Sequence, residues 1–420
     1  MSTTRSCATS RRPSAAVSPA HPLLKPALRR AWRDLHTVQF GVTPAHAVTL
    51  GPLDAATSAF LKLLDGTRGR ALLREEAGRV GLSGARADAV VERLAGAGLL
   101  DDSTAGGPEV EALRRRTRAV DRLRADHASL TVTAREPGGA LGALAARAGA
   151  RVHVRGAGRT GAVIASLLAA AGVGAVEVRD GGRVEPWEVA PGGHRPDAVG
   201  ERRDRSVRRL VHEAAPDRAP RARRSLRSAP SAPSTGSTPS TGSAGGPAAE
   251  RPAGPSEVSA AEPRLALAVL APRGGLEAYA PDPAAVEDLM AAGVPQLYAG
   301  VVEGTAVVGP LVLPGRTACA ECLFRSRTDE DPVWPRLLTQ WRSGNRPGVA
   351  PCEVTLATAV AGFAAGHALA LLDGTVPASA GVRWEAALPR LAWCARPLRP
   401  HPGCPCGAAG RGADVRYRSE

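Results

Sequence analysis

Residues 151–184 read RVHVRGAGRTGAVIASLLAAAGVGAVEVRDGGRV, and this stretch decides the fold. Alternating apolar residues at its start predict a short β-strand. The turn Gly156-Ala-Gly-Arg-Thr-Gly161 follows, then an apolar helix that stops near Gly172, and then a second strand that ends on Asp180. Strand, glycine-rich turn, helix and strand in this order predict a Rossmann-type unit, so the predicted fold class is α/β.

The residues of the turn have separate physical tasks. Gly156 permits a tight turn, Gly158 lets a phosphate group approach the backbone, and Gly161 lets the helix pack close to the strand. The helix N-terminus offers unpaired N–H groups to an anion, and Asp180 can accept hydrogen bonds from ribose hydroxyls. The sequence therefore predicts a nucleotide site, and glycines that serve only helix–sheet packing are the alternative.

Composition limits the classes of function. The chain has 420 residues, enough for two or three domains, and a formal net charge of +14. Eleven arginines lie between Arg195 and Arg227 with no aromatic residue among them, so a solvated face is expected and nucleic-acid binding is disfavoured. Residues 354–372 approach the length of a membrane span, but their Ala, Gly, Thr and His content predicts a buried helix. With no secretory signal at the start of the sequence, a cytoplasmic location and no membrane partner are predicted.

Composition also divides the chain into segments. They are a disordered tail at 1–21, a small recognition-like domain at 22–103, a connector at 104–150, a Rossmann domain at 151–407 and a tail at 408–420. Residues 217–263 are rich in Pro, Ser and Gly and cannot bury enough apolar area to order themselves. We therefore expect a disordered insertion inside the Rossmann domain.

The predicted small domain combines strand and helix patterns. Strand patterns cover 32–40 and 47–50, and helical patterns cover 54–64, 70–80 and 84–97. Strands around three short helices predict a winged helix-turn-helix-like domain. The third helix offers only Arg86 and Arg93 to phosphates, so a peptide fits this domain at least as well as DNA. Further along, a helix is predicted at 108–126, a strand followed by a helix at 130–150, and a C-terminal pair of strands around 383–388 and 391–393.

Four of the seven cysteines form two close pairs, Cys319-x-x-Cys322 and Cys404-x-Cys406. In a cytoplasmic chain, such pairs indicate metal ligands more often than disulfides. Four thiolates suit a closed tetrahedral zinc site, which is structural because no ligand position stays open. The alternative is a set of reduced, unbound thiols.

The segment GAGRTGAVIASLLAAAGVGAVEVRDGGRV resembles the ThiF/MoeB superfamily, the fold of ubiquitin-activating enzymes. The Gly293–Pro295 segment, the two cysteine pairs and the apolar helix that ends at Leu371–Gly374 extend the likeness over roughly residues 151–407. The resemblance implies a protein that binds ATP and magnesium, adenylates the C-terminal carboxylate of a small protein or peptide, and holds a structural zinc ion.

The whole chain resembles one branch more closely, the ThiF-like partner proteins of azole- and azoline-forming peptide cyclodehydratases. The segments Gly309–Cys319 and His401–Gly407 carry this likeness. It implies that residues 22–103 bind the leader of a ribosomally made precursor peptide. The chain would then present that peptide to a separate, ATP-using YcaO-type enzyme. A homodimer is left open by the sequence.

The segments that do chemistry in the family are altered in this chain. The family's D-x-D-x-V segment is Asp180-Gly-Gly-Arg-Val184, without the second acid, and its N-L-x-R-Q segment aligns with residues 188–192, without the arginine. The family's phosphate-binding lysine falls near Arg203. The loop that carries its magnesium-binding aspartate reads Ala-Pro-Arg-Gly-Gly at residues 271–275.

Adenylation requires neutralisation of the triphosphate charge in the transition state. Glu277 and Asp282 are the acids nearest to the altered loop, and neither fits the family pattern. The sequence therefore predicts a catalytically degenerate protein that binds and presents a peptide, and leaves its status as an enzyme open. An active ATP-dependent adenylyltransferase is the alternative, and a nucleic-acid-binding regulator is a third hypothesis.

Overall fold

The computed structural model describes residues 18–217, 264–344 and 348–411. Apart from Asp217, the predicted insertion therefore lies outside the described residues, as do most of the two predicted tails. The strands are β1 (Leu23–Leu24), β2 (Arg30–Trp32), β3 (Val38–Phe40), β4 (Val48–Leu50), β5 (Leu100–Asp101), β6 (Arg151–Arg155), β7 (Ala175–Arg179), β8 (Leu265–Leu270), β9 (Gln296–Val302), β10 (Thr305–Val312), β11 (Val382–Ala387) and β12 (Cys394–Pro397).

The helices alternate with these strands through most of the chain. They are α1 (Ala55–Phe60), α2 (Arg70–Arg79), α3 (Gly84–Gly96), α4 (Pro108–Arg115), α5 (Thr117–Arg122), α6 (Arg124–Thr133), α7 (Gly139–Gly149), α8 (Arg159–Ala170), α9 (Arg203–Ala214), α10 (Leu276–Tyr279), α11 (Glu287–Ala291), α12 (Ala320–Glu330), α13 (Trp334–Ser343), α14 (Val354–Leu372) and α15 (Ala408–Arg411). Short 3-10 helices lie at Leu61–Leu63, Pro186–Glu188, Pro196–Ala198 and Ala284–Val286.

The centre of the fold is a seven-stranded sheet with the order β12-β11-β10-β9-β8-β6-β7. Strands β7, β6, β8 and β9 are parallel, and β10, β11 and β12 continue the sheet antiparallel. Because β6 lies between β7 and β8, the chain winds outward from β6 in both directions. Open α/β sheets bind ligands beyond the carboxyl ends of the strands at such a point.

Because side chains alternate between the two faces of the sheet along each strand, the two faces pack into different cores. Val152 and Leu267 are buried in the core that also contains residues of α8, α9 and α14. Ala268 and Leu270 lie in the second core, with Tyr298 and the cysteines. The two-sided burial explains the continuous apolar runs of these strands. The α/β prediction is therefore confirmed.

Helix α14 has the length and composition of a membrane span. In this structure its residues Leu356, Val360 and Ala364 are buried in the same core as Val152. The prediction of a buried core helix therefore agrees with the packing, and the cytoplasmic location stays a prediction.

The N-terminal elements have a core of their own. Strands β2, β3 and β4 form an antiparallel sheet, β1 pairs with β5, and the helices α1 to α3 follow the sheet in the chain. Val38, Phe60 and Leu94 are fully buried within this cluster. A three-stranded sheet followed by three helices contains the expected elements, and the winged helix-turn-helix assignment stays a prediction.

Two strand predictions were wrong in their bounds. Residues 32–40 are not one strand, because a turn separates β2 from β3. Within it, the carboxylate of Asp34 accepts a hydrogen bond from the backbone N–H of His36 at 2.8 Å. The last strand begins at Cys394 and not at Leu391, whose φ of +52° does not fit a strand.

Two predictions for the connector were also wrong. Residues 130–150 contain the end of α6 and the whole of α7, and no strand. β-Branched residues favour a strand locally, but packing overrides this propensity, and the Thr131 hydroxyl donates to the carbonyl of Ala128 within the helix. Residues 108–126 form α4, α5 and the start of α6 instead of one helix.

Candidate functional site

The first candidate site lies where β6, β7 and β8 end. Arg155 of β6 is paired with Arg179 of β7 and with Leu270 of β8, so the three strands end side by side. The residues that come next, Gly156 and Asp180, therefore meet at the carboxyl edge of the parallel strands. This is the place at which the sequence predicts a nucleotide.

Two glycines of the turn are required by close packing. Gly156 has a φ of +103°, and a Cβ atom there would lie 2.1 Å from the carbonyl oxygen of Ala271. A Cβ atom at Gly161 would lie 2.1 Å from the carbonyl oxygen of Gly156. Neither space admits a side chain. These two glycines therefore have a packing task, whether or not a nucleotide binds.

The carboxylate of Asp180 is tied to the turn. Its Oδ2 accepts a hydrogen bond from the backbone N–H of Ala157 at 2.6 Å, and its Oδ1 lies 3.9 Å from Nη1 of Arg203. Since Oδ2 is already bonded to the backbone, Oδ1 offers more free capacity for a ribose hydroxyl. Asp180 thus fixes the turn and faces the edge at which a nucleotide is expected.

Arg203 lies at the start of α9 and is only 2% exposed. Its Nε donates to Glu188 at 2.7 Å, and its Nη1 donates to the carbonyl of Gly181 at 3.1 Å. Gly182 stands at the position of the missing second acid, with a φ of +81°, and a Cβ atom there would lie 2.7 Å from Nη1 of Arg203. In this structure Arg203 supports the loop after β7, and its predicted contact with a phosphate stays a prediction.

His194 is a buried support of the turn that sequence reasoning missed. Its Nε2 lies 2.6 Å from the carbonyl oxygen of Ala157, and its Nδ1 lies 2.9 Å from the hydroxyl of Ser206. Burial lowers the pKa of His194, so the ring is neutral, with Nε2 donating and Nδ1 accepting. A single histidine in an irregular segment gives no sequence signal for this role.

Arg273 is a second residue that sequence reasoning missed. It lies in the loop between β8 and α10 and is exposed, and a Cβ atom at Gly158 would lie 2.7 Å from its Cγ. Among the residues that the structure describes, its guanidinium has no hydrogen-bond or ion-pair partner. The stem of Arg273 therefore lies against the N-terminus of α8, and an unpaired guanidinium on this stem can bind an anion there. The available signal was the parallel order of β6 and β8, which brings their following loops together.

The two acids near this loop differ in their surroundings. The carboxylate of Asp282 accepts a hydrogen bond from the backbone N–H of Ala284 at 3.2 Å, in the turn that leads into the 3-10 helix Ala284–Val286. Glu277 lies in the first turn of α10. Magnesium requires oxygen ligands, so these two acids are the candidates for any magnesium ion near the phosphates.

The second candidate site is the four-cysteine cluster. Cys319 precedes α12, Cys322 lies in its first turn, and Cys404 and Cys406 lie in the loop before α15. The Sγ atoms are 3.8 Å apart for 319 and 322, 3.6 Å for 319 and 404, and 3.6 Å for 322 and 406. All four lie within 4.8 Å of one another. Zinc–sulfur bonds of about 2.3 Å in a tetrahedron place sulfur atoms about 3.8 Å apart, so the four thiols fit one zinc ion.

The electrostatics of the cluster favour a cation. A hydrogen bond from Cys319 lowers the pKa of the Cys322 thiol to about 5, and the same bond, with burial, raises the pKa of Cys319. Burial raises the pKa of Cys404 to about 11. Thiolates this close repel one another, so all four lose their protons together only when a metal ion compensates their charge.

Residues 140–234 match the model of the ThiF family. The structure of E. coli MccB with ATP superposes with a TM-score of 0.59 at 13% identity, covering 92% of this chain and 99% of that chain. E. coli MccB with MccA gives a TM-score of 0.59 at 14% identity over 92% and 99% of the two chains.

PaaA gives a TM-score of 0.57 at 15% identity, over 89% of this chain and 98% of PaaA. None of the curated proteins compared with the chain matches it in sequence. The resemblance to the ThiF family that the sequence predicted is confirmed. At these identities, the likeness to MccB and PaaA shows a shared fold.

Proposed function

We propose that the chain binds a precursor peptide and presents it to a separate YcaO-type enzyme of azole or azoline peptide biosynthesis. The open edge of β4 and the neighbouring face of α3 carry this proposal. The fold likeness supports a peptide as the partner, because MccB, a microcin C7 biosynthetic enzyme, has been solved in complex with N-formylated MccA. The Rossmann domain contributes a nucleotide site in which binding is retained and turnover is lost.

Strand β4 offers an open edge. In the sheet β2-β3-β4 it pairs with β3 alone among the described residues. Helix α3 lies near its end, because Arg93 donates to the carbonyl of Gly51 at 3.1 Å and Arg86 pairs with Asp54 at 2.8 Å. An edge strand beside a helix can accept an extended peptide as an additional strand.

The adjoining face of α3 combines an apolar residue with two cations. Arg86, Val90 and Arg93 are four and three residues apart, so they share one face of the helix. Val90 is half-buried and packs against the N-terminal core. A peptide with an apolar side chain fits this face at Val90.

The same contacts disfavour DNA as the ligand. Arg86 and Arg93 already bind Asp54 and the carbonyl of Gly51. A phosphate would have to displace these partners, and DNA binding draws most of its affinity from such phosphate contacts. The nucleic-acid regulator is therefore the weaker hypothesis.

Replacing Val90 by aspartate is expected to weaken leader-peptide binding at least tenfold, about 1.4 kcal/mol, because a carboxylate replaces the apolar contact on this face of α3. Fluorescence anisotropy with the full-length chain measures this change. The probe is a fluorescein-labelled leader from a precursor gene adjacent to the gene of this chain.

The matched control is Ala85→Asp, an exposed position on another side of the same helix, which we expect to leave the affinity unchanged. Thermal unfolding of both variants must stay close to that of the wild type. The proposal fails if the wild type does not bind the leader peptide, or if no YcaO gene and no precursor gene lie adjacent to the gene of this chain. Tight, salt-sensitive binding of duplex DNA in place of the peptide would favour the regulator.

For the nucleotide we propose Gly156, Gly158, Gly161 and Asp180 as contacts, with Arg203 behind the loop. The cysteine cluster is proposed to hold zinc. An active adenylyltransferase is the second candidate function, because MccB has been solved with ATP and this chain keeps the glycine turn and Asp180. Pyrophosphate exchange distinguishes the two functions.

A further inference from the structure

A cavity of about 530 Å³ lies between β11 and β12 on one side and α10, α12 and α13 on the other. We call it the arginine cleft, and its charged lining residues are Arg327, Glu330, Arg383, Glu385, Arg396 and Arg399. Leu323 and Leu398 also line it, and both pack against the core that contains the cysteine cluster.

The inner wall of the arginine cleft is rigidly held. Arg383 is 6% exposed, donates to Glu385 at 2.7 Å and to the carbonyl of Tyr279 at 3.0 Å, and lies 4.1 Å from the centre of the Tyr279 ring. Arg327 donates to the Tyr279 hydroxyl at 2.8 Å and lies 5.5 Å from the centre of the Trp334 ring. Tyr279 is therefore fixed between two guanidinium groups, so the wall is preorganised for a ligand.

The rim of the cleft carries positive charge that the lining does not neutralise. The two glutamates are paired with the two inner arginines, Glu385 with Arg383 and Glu330 with Arg327. Arg396 is 3.7 Å from Glu385, which is already engaged, and the exposed Arg399 has no partner within the described part of the chain. The cleft thus has an excess of about two positive charges, which favours an anionic ligand.

The remaining lining is apolar. Phe324 and Trp334 are half-buried, and Leu338 is buried beneath them in the lining. A cavity of this size lies within the range of about 300–1,000 Å³ typical of small-ligand pockets, so it accommodates a few side chains and not a folded domain. Such a lining suits an aromatic or leucine side chain next to the anionic groups.

We propose that the arginine cleft binds a short acidic segment of a partner protein, in which carboxylates flank an aromatic or leucine side chain. Arg396 and Arg399 would meet the carboxylates, and the apolar lining would hold the side chain between them. Free phosphate fits less well, because Glu330 and Glu385 repel a dianion and the apolar lining gives it no partner. The cleft shares no residue with the β4 edge, the face of α3 or the nucleotide site proposed above.

Fluorescence anisotropy with the full chain tests this proposal. The probes are a fluorescein-labelled Asp-Glu-Phe-Asp-Glu-Leu peptide and the same peptide with lysine at the four acidic positions. We expect the acidic probe to bind at least tenfold more tightly than the basic one, and its affinity to fall as salt is raised. Arg399→Glu should weaken the acidic probe at least tenfold, whereas Arg336→Glu, at an exposed position on α13 outside the cleft, should not.

A second variant tests whether binding depends on the shape of the arginine cleft, independently of its charge. Ser326 lines the cleft, and Ser326→Trp should block it and abolish binding of the acidic probe. Val90→Asp should leave this probe unaffected, so failure here is distinguishable from failure of the leader-peptide proposal. Equal binding of the two probes, full binding by Arg399→Glu, or displacement of the probe by inorganic phosphate at equal concentration would overturn the proposal.

Discussion

Replacing Cys404 by serine is expected to remove zinc from the purified protein and to lower the free energy of unfolding by more than about 4 kcal/mol. The four Sγ atoms lie within 4.8 Å of one another, so each thiolate is expected to supply one of the four ligands of a tetrahedral site. Cys319 and Cys322 belong to the start of α12, whereas Cys404 and Cys406 belong to the C-terminal loop. A metal ion held by all four thiolates would join two segments that are distant in the chain, and its binding free energy would be folding free energy.

The measurements are metal content per chain and unfolding by denaturant. Cys394→Ser is the matched control, because Cys394 is an exposed free thiol outside the cluster. We expect the control to keep one zinc ion per chain and its full stability. Equal zinc content in wild type and Cys404→Ser would disprove the assignment of the ligands.

The parts of the fold that the sequence predicted are those set by local pattern. Strand, glycine turn, helix and terminal acid lie within residues 151–184, so their order alone identifies the Rossmann unit. The cysteine set was also predictable although 81 residues separate its two pairs. Zinc chemistry requires four ligands, and two close pairs supply them.

The contacts that sequence reasoning missed are set by the order of the strands. Arg273 reaches Gly158 only because β8 lies beside β6. His194 supports the turn through the carbonyl of Ala157, 37 residues away in the chain. A side chain at position 182 would collide with the guanidinium of Arg203, which lies 21 residues further along the chain. No periodicity of the sequence encodes such pairs. A single sequence therefore indicates the glycine turn and Asp180, but not the residues that contact the turn from other parts of the chain.

ATP is expected to bind this chain without magnesium, and pyrophosphate exchange is expected to stay at background. The aliphatic stem of Arg273 lies against Gly158, and the guanidinium at its end can neutralise phosphate charge where a metal ion would otherwise be required. Arg203 is engaged with Glu188 and Gly181, and each missing transition-state contact costs about 10²–10³ in rate. Binding and turnover should therefore separate.

Titration of a fluorescent ATP analogue, with magnesium and with EDTA, measures whether nucleotide binding requires magnesium. We expect similar affinities in both conditions, and Arg273→Ala should weaken binding at least tenfold, since a hydrogen bond to a charged group contributes about 1.5–3 kcal/mol. Gly158→Val should do the same, because its side chain would occupy the space between the turn and Arg273. Arg336→Ala, at an exposed site on α13, is the control.

The outcomes distinguish a site that binds ATP without turnover, as expected, from two other accounts. If neither Arg273→Ala nor Gly158→Val changes nucleotide binding, the glycines serve packing alone, as the contacts of Gly156 and Gly161 allow. If affinity requires magnesium and the wild type exchanges pyrophosphate in the presence of a peptide or carrier protein, the chain is an active adenylyltransferase. Glu277 and Asp282, the two acids nearest to the altered loop, would then be the residues to replace.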